Sequence, residues 1–370
     1  MKTFSNLIYE VQNAGRCHRC GGCVAFCTAV NYGALELDEE GWPRYGDAER
    51  CIECGICHPI CPEVSELDPV INSRVAWSAP MGRVIGSSVV RSTDRQIRSR
   101  ATDGGAVTGL LVHLMDAGRI DGAIVTRQTG LFQREPWIAH DREELIAAAG
   151  FHFDASHGMT LFSDSYSTYA ASIHELEPVV REGLRRVAFV GTPCQIKTMR
   201  KMEALGVVPS ESIKYSLGLF CTGNFAFGPA ERRRLEEIGD FRWEAVVRVN
   251  VKDTLQVHLN DGAKRRIALD DIDFMKRYAC RYCIDYAAEY ADIAFGGIGA
   301  ADGWTTVITR TPLGRAILHD ALGSDLETFS YDDNPRYASE ALQAVQACSD
   351  RKKAAGEAAL DRLGANECQQ

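Results

Sequence analysis

At 370 residues the chain is two to three times the length of an ordinary domain, so more than one module with ample core is expected. With 45% hydrophobic and 25% charged residues, 33 glycines and 12 prolines, it sits near the globular average, which excludes disorder, collagen and coiled coil. Forty-one basic against fifty acidic residues leave a net charge of −9, and no long Lys/Arg run supplies the basic face a phosphate backbone needs, so nucleic acid is not an expected partner.

The opening MKTFSNLIYEVQNAG has no apolar core followed by a small-residue cleavage site, and nowhere do about 18 apolar residues run together. A cytoplasmic chain is expected, meeting a membrane only through a partner. Its 14 cysteines would then lie in a reducing compartment, which points to metal or redox chemistry rather than disulfides.

Eight of the cysteines form two runs of C-x2-C-x2-C-x3-C: Cys17, Cys20, Cys23 and Cys27, then Cys51, Cys54, Cys57 and Cys61. Two-residue gaps turn three thiolates toward one cubane, while the fourth starts a helix, points away and serves the other cluster. Cluster I is therefore assigned to Cys17, Cys20, Cys23 and Cys61, and cluster II to Cys51, Cys54, Cys57 and Cys27. Gly21, Gly22 and Gly55 let the loops bring N–H groups toward sulfur. Zinc knuckles are the rival, but zinc takes four ligands without a repeated 2-2-3 run. Pro62 follows the second run as in bacterial ferredoxins, whereas Thr28 follows the first. This two-cluster ferredoxin module is expected over residues 1–71.

From Val84 the pattern alternates: strand VIGSSVV, helix GAVTGLLVHLMDAG, strand DGAIVTR, helices REELIAAAG and SYSTYAASIHELEPVV, strand RRVAFVG, helix QIKTMRKMEALG and strand IKYSLGLF. That is an α/β pattern. VVRVNV, TLQVHL and RRIAL follow as a β-meander, the last two joined through Asn260-Asp261-Gly262. The strands DIAFGGIG and WTTVITRT, a helix from about Pro312 and the strand LETFSY end the core. Gly296 and Gly297 open a glycine run too short for a dinucleotide fingerprint. The fold class is thus α/β (α+β): a two-cluster ferredoxin module, then a mixed α/β domain over 72–340, then a helical tail over 341–370.

Four further cysteines are spread through this domain. Thr192 suits an N-cap and Pro193 the first helical position, so Cys194 falls in a first turn where the helix dipole favours thiolate. Cys221 ends a strand, at the edge where α/β sheets place functional groups. Cys280 and Cys283 form a knuckle. Ordinary core cysteines, a nucleophile paired with a histidine, and one further cluster are all compatible with these settings. Gly104 and Gly105 open a helix whose unpaired N–H groups suit a pyrophosphate, flanked by Thr102, Asp103 and Thr108; helix capping alone explains the same residues. Tyr278, Tyr282 and Tyr286 recur every four residues, as a packed helix stripe does. The Arg232–Arg234 run reads as a solvated, salt-bridged helix face. The tail is amphipathic, docking a partner or packing on the core, and its Cys348 and Cys368 are expected to be unliganded.

The segments TDGGAVTGLL, DGAIVT, VGTPCQ, GLFC, CRYC with ADIAFGG, and GWTTVITRT, in this order from about Arg83 to Arg315, resemble the family of the F420-reducing hydrogenase beta subunit. With the ferredoxin module in front, the arrangement is most similar to the input subunit of F420H2 dehydrogenases. The resemblance implies a third [4Fe-4S] cluster on Cys194, Cys221, Cys280 and Cys283, and FAD beside it at Thr102, Asp103, Gly104, Gly105, Thr108, Gly296 and Gly297. It implies coenzyme F420 as hydride substrate, and ferredoxin or a larger redox complex as partner: a hydrogenase, formate dehydrogenase, heterodisulfide reductase or membrane dehydrogenase. Flavin is needed because a hydride carries two electrons and a cluster takes one. A ferredoxin-driven reductase of an organic substrate, and a flavin-free electron relay, are the alternatives. A lysine-containing segment of the relatives is replaced here by Asp164-Ser165-Tyr166.

Overall fold

The computed structural model describes residues 1–30, 32–130, 133–150, 159, 184–207, 210–332 and 334–367. The expected helix SYSTYAASIHELEPVV, the segment around Asp164-Ser165-Tyr166 and Cys368 lie outside the described residues.

Two short strands, β1 (Leu35–Leu37) and β2 (Pro43–Tyr45), pair antiparallel between the two N-terminal cysteine runs. They carry no apolar alternation long enough to be legible as strands. The helix Gly22–Ala29 starts at Gly21, whose φ of 83° is left-handed backbone that glycine adopts freely. Phe4, Leu7, Val11, Val24 and Leu35 bury the module's own small core.

An eight-stranded sheet organises the remainder. Its strands are β3 (Gly86–Ser92), β4 (Gly122–Gly130), β5 (Gln133–Ala139), β6 (Val187–Gly191), β7 (Ile213–Leu219), β11 (Ile293–Gly296), β12 (Thr305–Thr309) and β13 (Leu326–Thr328). The order is β13-β3-β12-β11-β7-β6-β4-β5. β11, β7, β6 and β4 run parallel, and the flanking pairs are antiparallel. β6 reads as a continuous apolar run because both faces are covered, whereas β7 carries exposed Lys214 and buried Ser216 among its apolar residues. β5 has no counterpart in the sequence pattern: Pro136 argues against a central strand, and the structure puts it on the sheet's edge, where no ladder N–H is required of it.

β8 (Val246–Val251), β9 (Thr254–Leu259) and β10 (Lys264–Ala268) form the expected meander. It packs its inner face on Leu235, Phe241 and Trp243. The tyrosine stripe is corrected: Tyr278–Arg281 is a 3-10 turn, and Tyr278 is 53% exposed while its ring meets Tyr282 edge-on. The expected salt-bridged face is corrected: the arginine-rich helix Pro229–Gly239 lays Arg232 over Phe227 and Arg234 over Phe274.

One core joins module and sheet. Ala25, Phe26, Ile60 and Ile71 pack with Ile196, Met199 and Met202 of the helix Pro193–Leu205. The buried Arg310 guanidinium donates to the carbonyls of Met81, Arg83 and Ala287, tying the linker to the core.

Candidate redox site

The eight N-terminal cysteines sort into two small cavities. One of about 30 Å³ is lined by Cys17, Cys20, Cys23 and Cys61, and the other, of about 20 Å³, by Cys27, Cys51, Cys54 and Cys57. Each cavity thus takes three sulfurs from one run and the fourth from the other. The helices that follow the loops produce this exchange, because they carry Cys27 and Cys61 away from their own triplets. Burial raises the thiols of Cys17 to about 11 and Cys57 to about 12. Four crowded neutral thiols gain little; thiolates facing a cationic iron–sulfur core recover that cost. Among the described residues no three His, Cys, Asp or Glu side chains close on a point as a single-ion site requires.

The second group of cysteines is assembled from three segments. Cys194 opens its helix as expected, with Thr192 as N-cap in a capping box with Gln195 and Pro193 in the first turn. The helix dipole does not decide its state: burial wins and lifts the thiol to about 12, against the favourable influence of His18 and a Thr192 hydroxyl 3.2 Å from the sulfur. Cys221 is raised to about 11 by burial, with Lys352 opposing and Cys280 and Cys283 reinforcing. At Cys280, burial is outweighed by His18, by the Asn224 N–H at 3.2 Å and by Lys352, so the thiol is held down at about 7. The charges of Cys280 and Cys283 reach Cys221, and that of Cys283 reaches Cys194.

His18 stands between the two regions. Burial disfavours its charge, yet Glu63, whose carboxylate is 2.7 Å from Nε2, together with Cys280 and Cys194, keeps it protonated well above its ordinary range. No spacing rule flags this histidine, since its partners come from distant segments.

Beside Cys221 opens a cleft of about 260 Å³ at the carboxyl ends of the parallel strands, the position where open α/β sheets bind ligands. Thr102, Asp103, Gly105, Thr108, Gly296 and Gly297 all line it. Gly105, at φ 70°, begins the helix Ala106–Asp116, and no side chain caps that terminus. The Thr102 hydroxyl is buried without a hydrogen-bond partner. Gly104 is a correction: its N–H donates to Thr305 Oγ1 at 3.1 Å, and a Cβ there would stand 2.8 Å from Arg91 Cβ, so it packs the strands instead of offering a donor. Gly297 makes room for Asp103, whose carboxylate would lie 2.5 Å from an added Cβ. Asn250 (2.9 Å) and Lys252 (3.5 Å) hold that carboxylate from the meander, and burial still lifts its affinity for a proton above the ordinary range. Both meander residues line the cleft, and nothing in the glycine motif announced them. An uncapped helix terminus and an orphaned hydroxyl fit the phosphates of a dinucleotide-sized cofactor, while Lys252 is already paired with Asp103 and Asp302.

Two cysteine cavities in the N-terminal module, with a further cysteine at the rim of an α/β cleft, define an iron–sulfur redox protein. Residues 9–62 match the 4Fe-4S dicluster domain, residues 88–163 the coenzyme F420 hydrogenase/dehydrogenase beta subunit N-term model, and residues 184–333 the corresponding C-terminus model. The chain belongs to the family of coenzyme F420 hydrogenase/dehydrogenase beta subunits. It is 34% identical over 238 residues to coenzyme F420 hydrogenase subunit beta of Methanothermobacter thermautotrophicus, covering 63% of this chain and 79% of that one. One component of the F420H2 dehydrogenase of Methanosarcina mazei is 28% identical over 318 residues, 83% of each chain. A chain of the F420-reducing [NiFe] hydrogenase complex of Methanosarcina barkeri superposes with a TM-score of 0.64 at 25% identity, covering 77% of this chain and 94% of that chain. No helix among the described residues is long and apolar enough to cross a membrane.

Proposed function

We propose that this chain is the electron-input subunit of an F420-dependent redox system, holding FAD in the cleft and three [4Fe-4S] clusters on twelve cysteines. The carrying observation is serial placement. Cys221 lines the cleft, and the Thr198 hydroxyl touches both the Cys194 carbonyl at 3.0 Å and, at 3.6 Å, the Cys20 sulfur of the first cavity. On this reading electrons pass from the third cluster through cluster I to cluster II.

Bound flavin supplies the exchange between two-electron hydride chemistry and the one-electron chemistry of clusters. The chain's own residues hold and tune. The terminus after Gly105 offsets the phosphate charge, Thr102 offers its free hydroxyl, and Lys252, paired with Asp103 and Asp302, fixes the cleft wall. His18 and Lys352 place positive charge beside the cysteines nearest the cleft. F420H2 is the proposed hydride donor, and ferredoxin or a partner hydrogenase, formate dehydrogenase, heterodisulfide reductase or membrane dehydrogenase the proposed acceptor.

Anaerobic titration of reconstituted protein with F420H2, NADH and NADPH in parallel tests this. Flavin bleaching by F420H2 alone is expected. Bleaching by a nicotinamide alone refutes the donor, and a reconstituted protein that retains no flavin refutes the input role and leaves an electron relay.

A further inference from the structure

The helix Tyr337–Glu367 lies beyond the residues matched by the family models, and it covers the third cysteine set. Ala341 and Val345 are buried, and Gly356 comes so close that an added Cβ would stand 3.2 Å from the carbonyls of Tyr282 and Cys283. Successive residues of this helix have different partners. Arg351 donates to Cys348 Sγ at 3.0 Å, and Lys353 pairs with the Glu289 carboxylate at 2.7 Å. Lys352 instead donates to two carbonyls, Cys221 O at 2.6 Å and Asp285 O at 2.8 Å. These acceptors are neutral, so they fix the ammonium in place without cancelling its charge. Asp285 O also accepts from Cys283 Sγ at 3.6 Å, so the ammonium stands beside both Cys221 and Cys283.

We infer that Lys352 sets the reduction potential of the cluster held by Cys194, Cys221, Cys280 and Cys283, an inference that rests on the three-cluster reading above. Reduction adds one electron, and hence one negative charge, to a cluster that the thiolates already make anionic. A fixed cation in a part-buried site lowers the energy of the reduced form more than that of the oxidised form, and salt screens it little. No proton is taken up and no bond breaks. Lys352 is a positioning residue of the redox chain: it touches the ligand backbone, and its charge makes the cluster nearest the cleft a better electron acceptor than the cysteines alone would.

The test is a redox titration of the iron–sulfur-loaded full chain, followed by electron paramagnetic resonance, for wild type, Lys352→Gln, Lys352→Arg and Arg351→Gln. In Lys352→Gln, one of three centres is expected to shift to lower potential, its reduced-to-oxidised ratio at the wild-type midpoint falling about tenfold, which is 59 mV for a one-electron couple. The other two centres stay, Lys352→Arg restores the shifted one, and Arg351→Gln moves none. A fully loaded Lys352→Gln with three unshifted centres overturns the role of Lys352 and leaves the clusters standing. A Lys352→Gln that has lost one centre's iron shows a structural role and overturns it too. Wild type with only two centres overturns the three-cluster reading itself.

Discussion

The sulfur of Cys20 lies 3.6 Å from the hydroxyl of Thr198, one turn along the helix that begins beside Cys194. Thr198 in turn donates to the Cys194 carbonyl at 3.0 Å. A single residue therefore touches a cysteine of the first cavity and the backbone of a cysteine in the third set, and its methyl decides how closely they approach. A Cβ on Gly22 would stand 2.3 Å from Thr198 Cγ2.

Gly22→Ala is accordingly expected to destabilise the chain by about 1–3 kcal/mol, the usual cost of overpacking a dense interior. Thr198→Ser removes the obstructing methyl and keeps the hydroxyl. In the double variant most of the loss should return, so urea denaturation of the four proteins of this cycle should show strong coupling. Additive losses would mean that the contact is not the seam between module and core.

Lys201 is fully buried on the same helix, donating to the carbonyls of Cys61 and Val64 and lying 3.0 Å from Asp68. Lys201→Met keeps the volume, strands the Val64 carbonyl and leaves the Cys61 carbonyl only the Val64 N–H. About 1–3 kcal/mol should be lost by denaturation, and cluster I should be the more readily lost to chelators because Cys61 loses one of its two anchors. Equal chelator sensitivity of both N-terminal clusters would contradict this.

Glu289 accepts a hydrogen bond from Trp77 at 2.7 Å and pairs with Lys353, but burial and the nearby Asp285 charge raise its carboxyl from 4.5 to about 7. The folded chain therefore binds this proton more tightly than the unfolded chain does. Its contribution is fully present below about pH 4.5, falls as pH rises to about 7, and by linkage amounts to on the order of 3 kcal/mol. Glu289→Gln keeps a neutral side chain at every pH, so its melting temperature should gain on wild type between pH 5 and 7.5 and run parallel above. A constant difference across that range would show that Glu289 stays ionised.

Gly297→Ala drives a methyl into Asp103, which must leave Asn250 and Lys252. Flavin content per chain is expected to fall several-fold in the purified variant while the iron content stays unchanged. Full flavin occupancy would remove the Asp103 wall from the proposed cofactor site.

Cys221→Ala and Cys283→Ala should each lower iron from about twelve to about eight per chain, counting one cubane per four-cysteine set, with the two N-terminal signals intact. Zinc in place of iron, or no change in either variant, would end the third-cluster assignment.

The cysteine runs were legible because spacing along one chain is a local property. A 2-2-3 run bends three thiolates inward and turns the fourth outward whatever surrounds it, and the two cavities divide the sulfurs in that way. The α/β alternation and the cap at Thr192 were legible for the same reason, since periodicity and capping act within a few residues. What spacing alone left open was the fate of Cys194, Cys221, Cys280 and Cys283, whose relative positions depend on strand order β11-β7-β6 and not on separation in sequence. Only the tertiary structure placed His18 against Cys280, brought Asn250 and Lys252 to Asp103, and laid the terminal helix with Lys352 over the third set. Burial, hydrogen-bond partners and charge neighbours all arise from packing between segments that have no fixed distance along the chain, so composition and motif carry no trace of them.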